Sequence, residues 1–165
     1  MTARTVLPWS DGCFVCGSEN PRGLGLRFEV EPDGTVVIDP LVIDAAFEGY
    51  PGHVHGGVVT AVLDEAAGWA CTMASGHLLF TVEFTVRFRR PVPGDTPLRL
   101  EASCLESRRR ISTGRAVILG GEGKVLAEGA GRFVRVPEAD ERATIPELRM
   151  PGRAAEPEDL RGGGR

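Results

Sequence analysis

Gly49-Tyr-Pro-Gly-His-Val-His-Gly-Gly-Val-Val-Thr-Ala-Val-Leu-Asp-Glu-Ala-Ala-Gly-Trp-Ala-Cys-Thr-Met-Ala-Ser75 is the stretch whose reading decides the fold. Its first half is a loop rich in glycine and proline. Its second half reads as a helix from about Gly56 to Ala74. Between Val58 and Ala74 almost every residue is apolar or small on all faces. A helix that is hydrophobic all round is buried inside a fold. It is not a membrane span, because Asp64 and Glu65 stand in its middle. Burying an unpaired carboxylate is costly. At least one of the two must therefore reach a polar pocket, and function is expected there.

On the N-terminal side of the helix, Leu24, Leu26 and Phe28 alternate with Gly25, Arg27 and Glu29, the pattern of a half-buried strand. Pro32-Asp-Gly34 is a hairpin turn, and Thr35 to Asp39 is the return strand. On the C-terminal side, Leu78 to Arg90 is a long apolar strand ended by Pro91-Val-Pro-Gly94. Leu98 to Leu105 is a further strand, and Arg108-Arg-Arg110 marks a corner. Arg115 to Leu119 and Val125 to Val136, joined by Gly120-Gly-Glu-Gly-Lys124, complete a meander. The order β-β-α-β-β-β-β predicts an α+β fold in which a curved antiparallel sheet wraps one long central helix. Gly129 and Gly131 suit bends in such a sheet. Residues 1–12 read as a flexible lead, 13–136 as the folded domain, and 137–165 as a disordered tail, given its proline, charge and Gly162-Gly-Gly164.

A chain of 165 residues is long enough for one domain with a real core. A net charge of -4 argues against a general nucleic-acid binder. No apolar run is long enough to span a bilayer, and the first residues lack the apolar core of a signal peptide. A cytoplasmic location is expected, with all four cysteines reduced. Cys13-Phe-Val-Cys16 invites a zinc reading, but a structural zinc usually takes four ligands. No second Cys-x-x-Cys or spaced His pair completes the set, so the pair reads as a folded turn and no metal is expected. Cys71 and Cys104 read as small core residues.

Glu48-Gly-Tyr-Pro-Gly-His-Val-His-Gly-Gly-Val-Val-Thr-Ala-Val-Leu-Asp64 resembles the helix-entry motif of the hotdog-fold acyl-CoA thioesterases, nearest the phenylacetate-pathway type and the thioesterase-superfamily-member type. Phe88-Arg-Arg-Pro91 is similar to their aromatic-basic-basic-proline strand end. Cys13 to Phe28 is similar to an N-terminal signature of many of them. The resemblance runs from Cys13 to Val136. It implies a hotdog fold and hydrolysis of an acyl-CoA to free acid and CoA, with no cofactor. It also implies homodimers whose helices lie side by side under a joined sheet, with a dimer of dimers (homotetramer) as a further option. By the same resemblance, Gly56 contacts the thioester oxygen, His55 orients the loop or hydrogen-bonds near the thioester, and Asp64 is the catalytic carboxylate, as nucleophile or general base. Thr81 corresponds to a hydroxyl that holds the attacking water in some members. Where other members carry Asn or Gln before the histidine, this chain has Glu48, Gly49 and Tyr50.

Thioester hydrolysis needs stabilisation of a developing oxyanion and a carboxylate that attacks or activates water. Glycines at a helix N-terminus offer exposed N–H groups and the positive end of the helix dipole. At Gly56 and Gly57 no Cβ obstructs an approaching substrate. Arg89 and Arg90 are candidates for the coenzyme A phosphates, for which arginine forks are suited. From Gly56 to Asp64 a helix rises about 12 Å, at 1.5 Å per residue. Reacting groups must come within about 3–3.5 Å. One helix does not bring both residues to one carbonyl, so the site is expected to combine two chains. Two other readings stay open: a hotdog dehydratase or hydratase pairing His with a carboxylate, and a non-catalytic acyl-CoA-binding protein.

Overall fold

A computed structural model describes residues 3–162. The short strands β1 (Thr5–Val6) and β2 (Glu29–Val30) lead into β3 (Val36–Leu41). A small hairpin, β4 (Glu48–Tyr50) and β5 (His53–Val54), delivers the chain to helix α1 (Gly56–Ser75). Then come β6 (Leu79–Phe88), β7 (Leu98–Ser107), β8 (Ile111–Leu119) and β9 (Val125–Arg135). Seven strands form one antiparallel sheet in the order β1-β2-β3-β7-β8-β9-β6. This is the expected hotdog arrangement of one long helix on a large antiparallel sheet.

The helix buries Val59, Val62, Leu63, Ala66, Ala67, Ala70 and Cys71. They meet Leu100, Ala102, Ala116, Ile118, Ala127 and Phe133 from the sheet in one core. Small residues set the spacing. A Cβ on Gly114 would lie 2.7 Å from Cys71 Sγ and 2.9 Å from the Ala67 carbonyl oxygen, so the helix rides directly on β8 there. Gly131 and Gly129 leave room for the Phe84 ring, which a Cβ would meet at 2.3 Å and 2.6 Å. Their role is this close approach, rather than the bends expected from sequence.

Among the described residues, strand β6 forms one edge of the sheet and pairs only with β9. Its register shifts at Val82: Thr81 faces Phe133, whereas Glu83 faces Arg132 and Phe84 faces Gly131. One extra residue reverses which side chains face the helix. Thr81 before the bulge and Phe84, Val86 and Phe88 after it thereby share one side of the sheet.

The chain ends differ from the sequence reading. Residues 1–12 are not simply a lead, because β1 extends the sheet and Leu7 is buried. After Val136 the chain forms α2 (Glu138–Thr144) and a hairpin of β10 (Arg149–Met150) and β11 (Arg153–Ala154). Ile145, Leu148, Ala155 and Leu160 are buried in the core. The two ends hold each other: Trp9 and Arg149 exchange both backbone hydrogen bonds, at 3.1 Å and 2.7 Å. Arg149 Nε also donates to Asp11 at 2.8 Å. The buried carboxylate of Glu141 anchors α2 by accepting from the Leu78 N–H at 3.3 Å, beside Arg135 at 3.5 Å. Composition points to disorder here because the apolar residues are dispersed among charges, prolines and glycines, and only the convergence of these four on the core makes the segment cohesive. Residues 1–2 and 163–165, the outermost parts of the expected lead and tail, lie outside the described residues.

Candidate active site

His55 stands at the cap position of α1, where its Nδ1 accepts the Gly57 N–H at 2.9 Å. Satisfying an orphan donor of the first turn is what a cap does. The imidazole lies so close over Gly57 that a Cβ there would sit 3.1 Å from Nδ1. Gly56, the first helical residue, is exposed, and its N–H has no partner among the described residues. Phe88 closes beside it, 3.5 Å from where a Gly56 Cβ would lie. The result is a bare N–H donor at the positive end of a 20-residue helix. His53 instead turns its Nδ1 to the Pro51 carbonyl oxygen at 3.0 Å.

Two turns along α1, Asp64 faces β6. Thr81 Oγ1 donates to its carboxylate, 2.9 Å from Oδ1 and 3.2 Å from Oδ2. Burial raises the Asp64 pKa, and the Thr81 hydrogen bond opposes that rise. Around the pair runs a pocket floored by Gly68, Trp69, Leu78, Leu79 and Phe133. Glu65 and Thr72 complete the lining, so the pocket mixes polar and apolar walls; a carboxylate there is equipped to take a proton from water next to a bound acyl group.

Of the two arginines singled out in the sequence, Arg89 is committed to Glu128, 2.8 Å from its Nε. Arg90 is exposed, with no side-chain partner among the described residues. Both lie past the end of β6, away from Asp64 in the chain.

Glu65, one step further round the helix, borders the same pocket and is partly buried. Its carboxylate accepts from Trp69 Nε1 at 3.3 Å and lies 3.6 Å and 3.8 Å from Cys13 Sγ. Burial, and then the charge on Cys13, push its pKa up to about 7. The Cys13 thiol is held down to about 5, chiefly by its hydrogen bond with the Cys16 thiol, which rises in turn. No local sequence signal joins Cys13 to Glu65. Their spacing carries no motif, and only the path of the chain brings them together.

Residues 51–127 match the thioesterase superfamily. A crystal structure of a thioesterase superfamily protein superposes with a TM-score of 0.68 at 31% identity, over 75% of this chain and 60% of that one. The chain thus spans less than two thirds of that relative. A hypothetical thioesterase from Streptococcus pneumoniae, solved with coenzyme A, superposes with a TM-score of 0.58 at 19% identity, over 63% of this chain and 82% of that one. The PaaI protein of the E. coli phenylacetic acid degradation operon gives 0.57 at 21% identity, over 63% and 74%. At those identities the last two speak for the fold. Among the described residues, no helix is long and apolar enough to cross a membrane.

Proposed function

We propose, from the match of residues 51–127 to the thioesterase superfamily, that this protein hydrolyses an acyl-CoA thioester to the free acid and CoA. The observation that carries the reading is the Thr81 hydroxyl donating to both oxygens of Asp64 in a pocket that Leu78, Leu79 and Phe133 also line. With its proton directed at Asp64, the Thr81 oxygen has lone pairs free to accept from a water. Asp64 is the general base in this arrangement. It takes a proton as the water oxygen bonds to the thioester carbon. The carbonyl oxygen becomes an oxyanion that meets the Gly56 N–H. The tetrahedral intermediate then collapses, the carbon–sulfur bond breaks, and the proton held by Asp64 goes to the leaving thiolate. The coenzyme A bound in the pneumococcal neighbour supports the choice of thioester. Because His55 Nδ1 caps Gly57, the histidine is engaged as a structural acceptor, which favours hydrolysis over a His-carboxylate hydratase reading.

The Gly56 donor and the Asp64 base of one site belong to two chains, since about 12 Å of helix separates them within one chain. Two features of this chain favour such pairing. The outer edge of β6 is unpaired and carries exposed Phe80, Val82 and Phe88. Beside it, α1 leaves Gly57 exposed and the small residues Ala61 and Gly68, with Asp64, only partly buried. A second copy joined along this edge would cover the apolar side chains and place its own Gly56 near this Asp64.

The test is thiol release from a panel of acyl-CoAs, with Asp64→Ala as the control. The variant should lose at least about a hundredfold in kcat, the scale of general-base catalysis, while keeping the wild-type circular dichroism. A folded Asp64→Ala protein with wild-type kcat would overturn the assignment. Hydration of a crotonyl thioester without thiol release would replace it with the hydratase reading.

A further inference from the structure

Among the described residues, Cys13, Cys16 and Glu65 form a group whose ligand atoms all lie within 4.8 Å of one another. Cys13 and Cys16 alone do not complete a metal site, and the third donor, Glu65, comes from the middle of α1.

The geometry around Cys13 is that of a bound anion. Its sulfur accepts the Val15 N–H at 3.3 Å and the Cys16 N–H at 3.4 Å. Two convergent backbone donors stabilise a thiolate. The turn that creates them depends on Gly17, whose N–H donates to the Cys13 carbonyl at 3.0 Å. A Cβ at Gly17 would lie 2.4 Å from the carbonyl oxygens of both Asp11 and Cys13. Glu65 is fixed from the other side by Trp69 Nε1. The sulfur and the carboxylate face each other at 3.6 Å and 3.8 Å, a separation bridged either by the thiol proton that Cys13 donates to Glu65 or by a cation that takes that proton's place. For tetrahedral zinc, with Zn–S about 2.3 Å and Zn–O about 2.1 Å, the sulfur–oxygen edge is about 3.6 Å.

We propose that Cys13 Sγ, Cys16 Sγ and a Glu65 carboxylate oxygen bind one zinc ion, which clamps the N-terminal turn to the central helix next to Asp64. The donor set is two thiolates and one carboxylate, which suits zinc and excludes the hard cations. Three protein ligands leave one tetrahedral position for water. The ion and its ligands together carry one net negative charge, which the N–H groups of Val15, Cys16 and Trp69 face. Arg27 adds a cation nearby: it donates to the Cys16 carbonyl, with its guanidinium 4.0 Å over the Trp9 ring.

Cobalt(II) reports on this site directly, because thiolate ligands give it an intense charge-transfer absorption. The full chain, reduced and stripped with a chelator, is titrated with Co²⁺ alone and then with Zn²⁺. One equivalent of Co²⁺ should produce the thiolate band and the visible bands of a tetrahedral site, and one equivalent of Zn²⁺ should abolish both. Cys13→Ser should lose about half of the charge-transfer intensity. Glu65→Gln should keep the thiolate band but bind Co²⁺ at least about tenfold more weakly, the lower end of what lost metal-site partners cost. The wild-type titration needs no variant to fold. Absence of a thiolate band in the reduced wild type overturns the proposal and leaves a proton between Cys13 and Glu65. Unchanged affinity in folded Glu65→Gln, or an unchanged band in folded Cys13→Ser, overturns the ligand set. These readouts are independent of thioester hydrolysis.

Discussion

Asp64 and Glu65 are adjacent carboxylates on one helix that border the same pocket, yet they take different partners. One residue step turns a side chain by about 100°. That step takes Asp64 to the open edge of the sheet, against Thr81 of β6. It takes Glu65 to the side where the N-terminal turn packs, against Cys13 and Trp69. The C-terminal segment continues this cover around the end of the helix: Leu160 is buried, and the Gly162 N–H donates to the Met73 carbonyl at 3.1 Å. The covered side ties distant pieces of chain together. The open side leaves a base and a helix N-terminus accessible. Changes on the covered side should therefore register as stability and changes on the open side as rate.

The largest effect is expected on the covered side. Ending the chain after Glu138 removes Ile145, Leu148, Ala155 and Leu160 from the core. Truncating one buried leucine to alanine typically costs about 2–5 kcal/mol, and this deletion should cost more. A melting curve of the shortened protein should show a large fall in Tm or aggregation. An unchanged Tm would mean that the segment does not contribute to the fold.

On the open side, a mixed-dimer experiment tests whether Gly56 and Asp64 act across two chains. Asp64→Ala is one inactive parent. Gly56→Pro is the other, since proline removes the N–H yet is tolerated at the first helical position. Refolding equal amounts together should make about half the dimers mixed, each with one of two sites intact, within a two-fold assembly. Activity should return to about a quarter of wild type. No recovery, with mixed dimers demonstrated by mass spectrometry, would place both groups in one chain's site.

The smallest effect sharpens the role of Thr81. Thr81→Val keeps the shape but removes the donor to Asp64. A hydrogen bond to a charged group is worth about 1.5–3 kcal/mol, so kcat should fall by about tenfold to about a hundredfold. Unchanged thermal stability should accompany the loss. A variant with wild-type kcat would reduce Thr81 to an ordinary strand threonine.

What the sequence determined by itself is what short-range pattern encodes. The all-round apolar run specified a buried helix beginning at Gly56, and the alternation around it specified antiparallel strands. The two mid-helix carboxylates marked where polarity had to be accommodated, because an unpaired buried charge is costly wherever the chain goes. What the tertiary structure alone decided lies in long-range register and convergence. Strict alternation along β6 puts Thr81 on the opposite side from Phe84, Val86 and Phe88. The bulge at Val82 turns it toward Asp64, and a bulge is set by pairing with β9, which no local pattern records. Cys13 and Glu65 meet only because the N-terminal turn folds across the helix. The terminal segments look too polar to fold alone, and they are ordered because a core built by other residues gives their few apolar side chains somewhere to be buried.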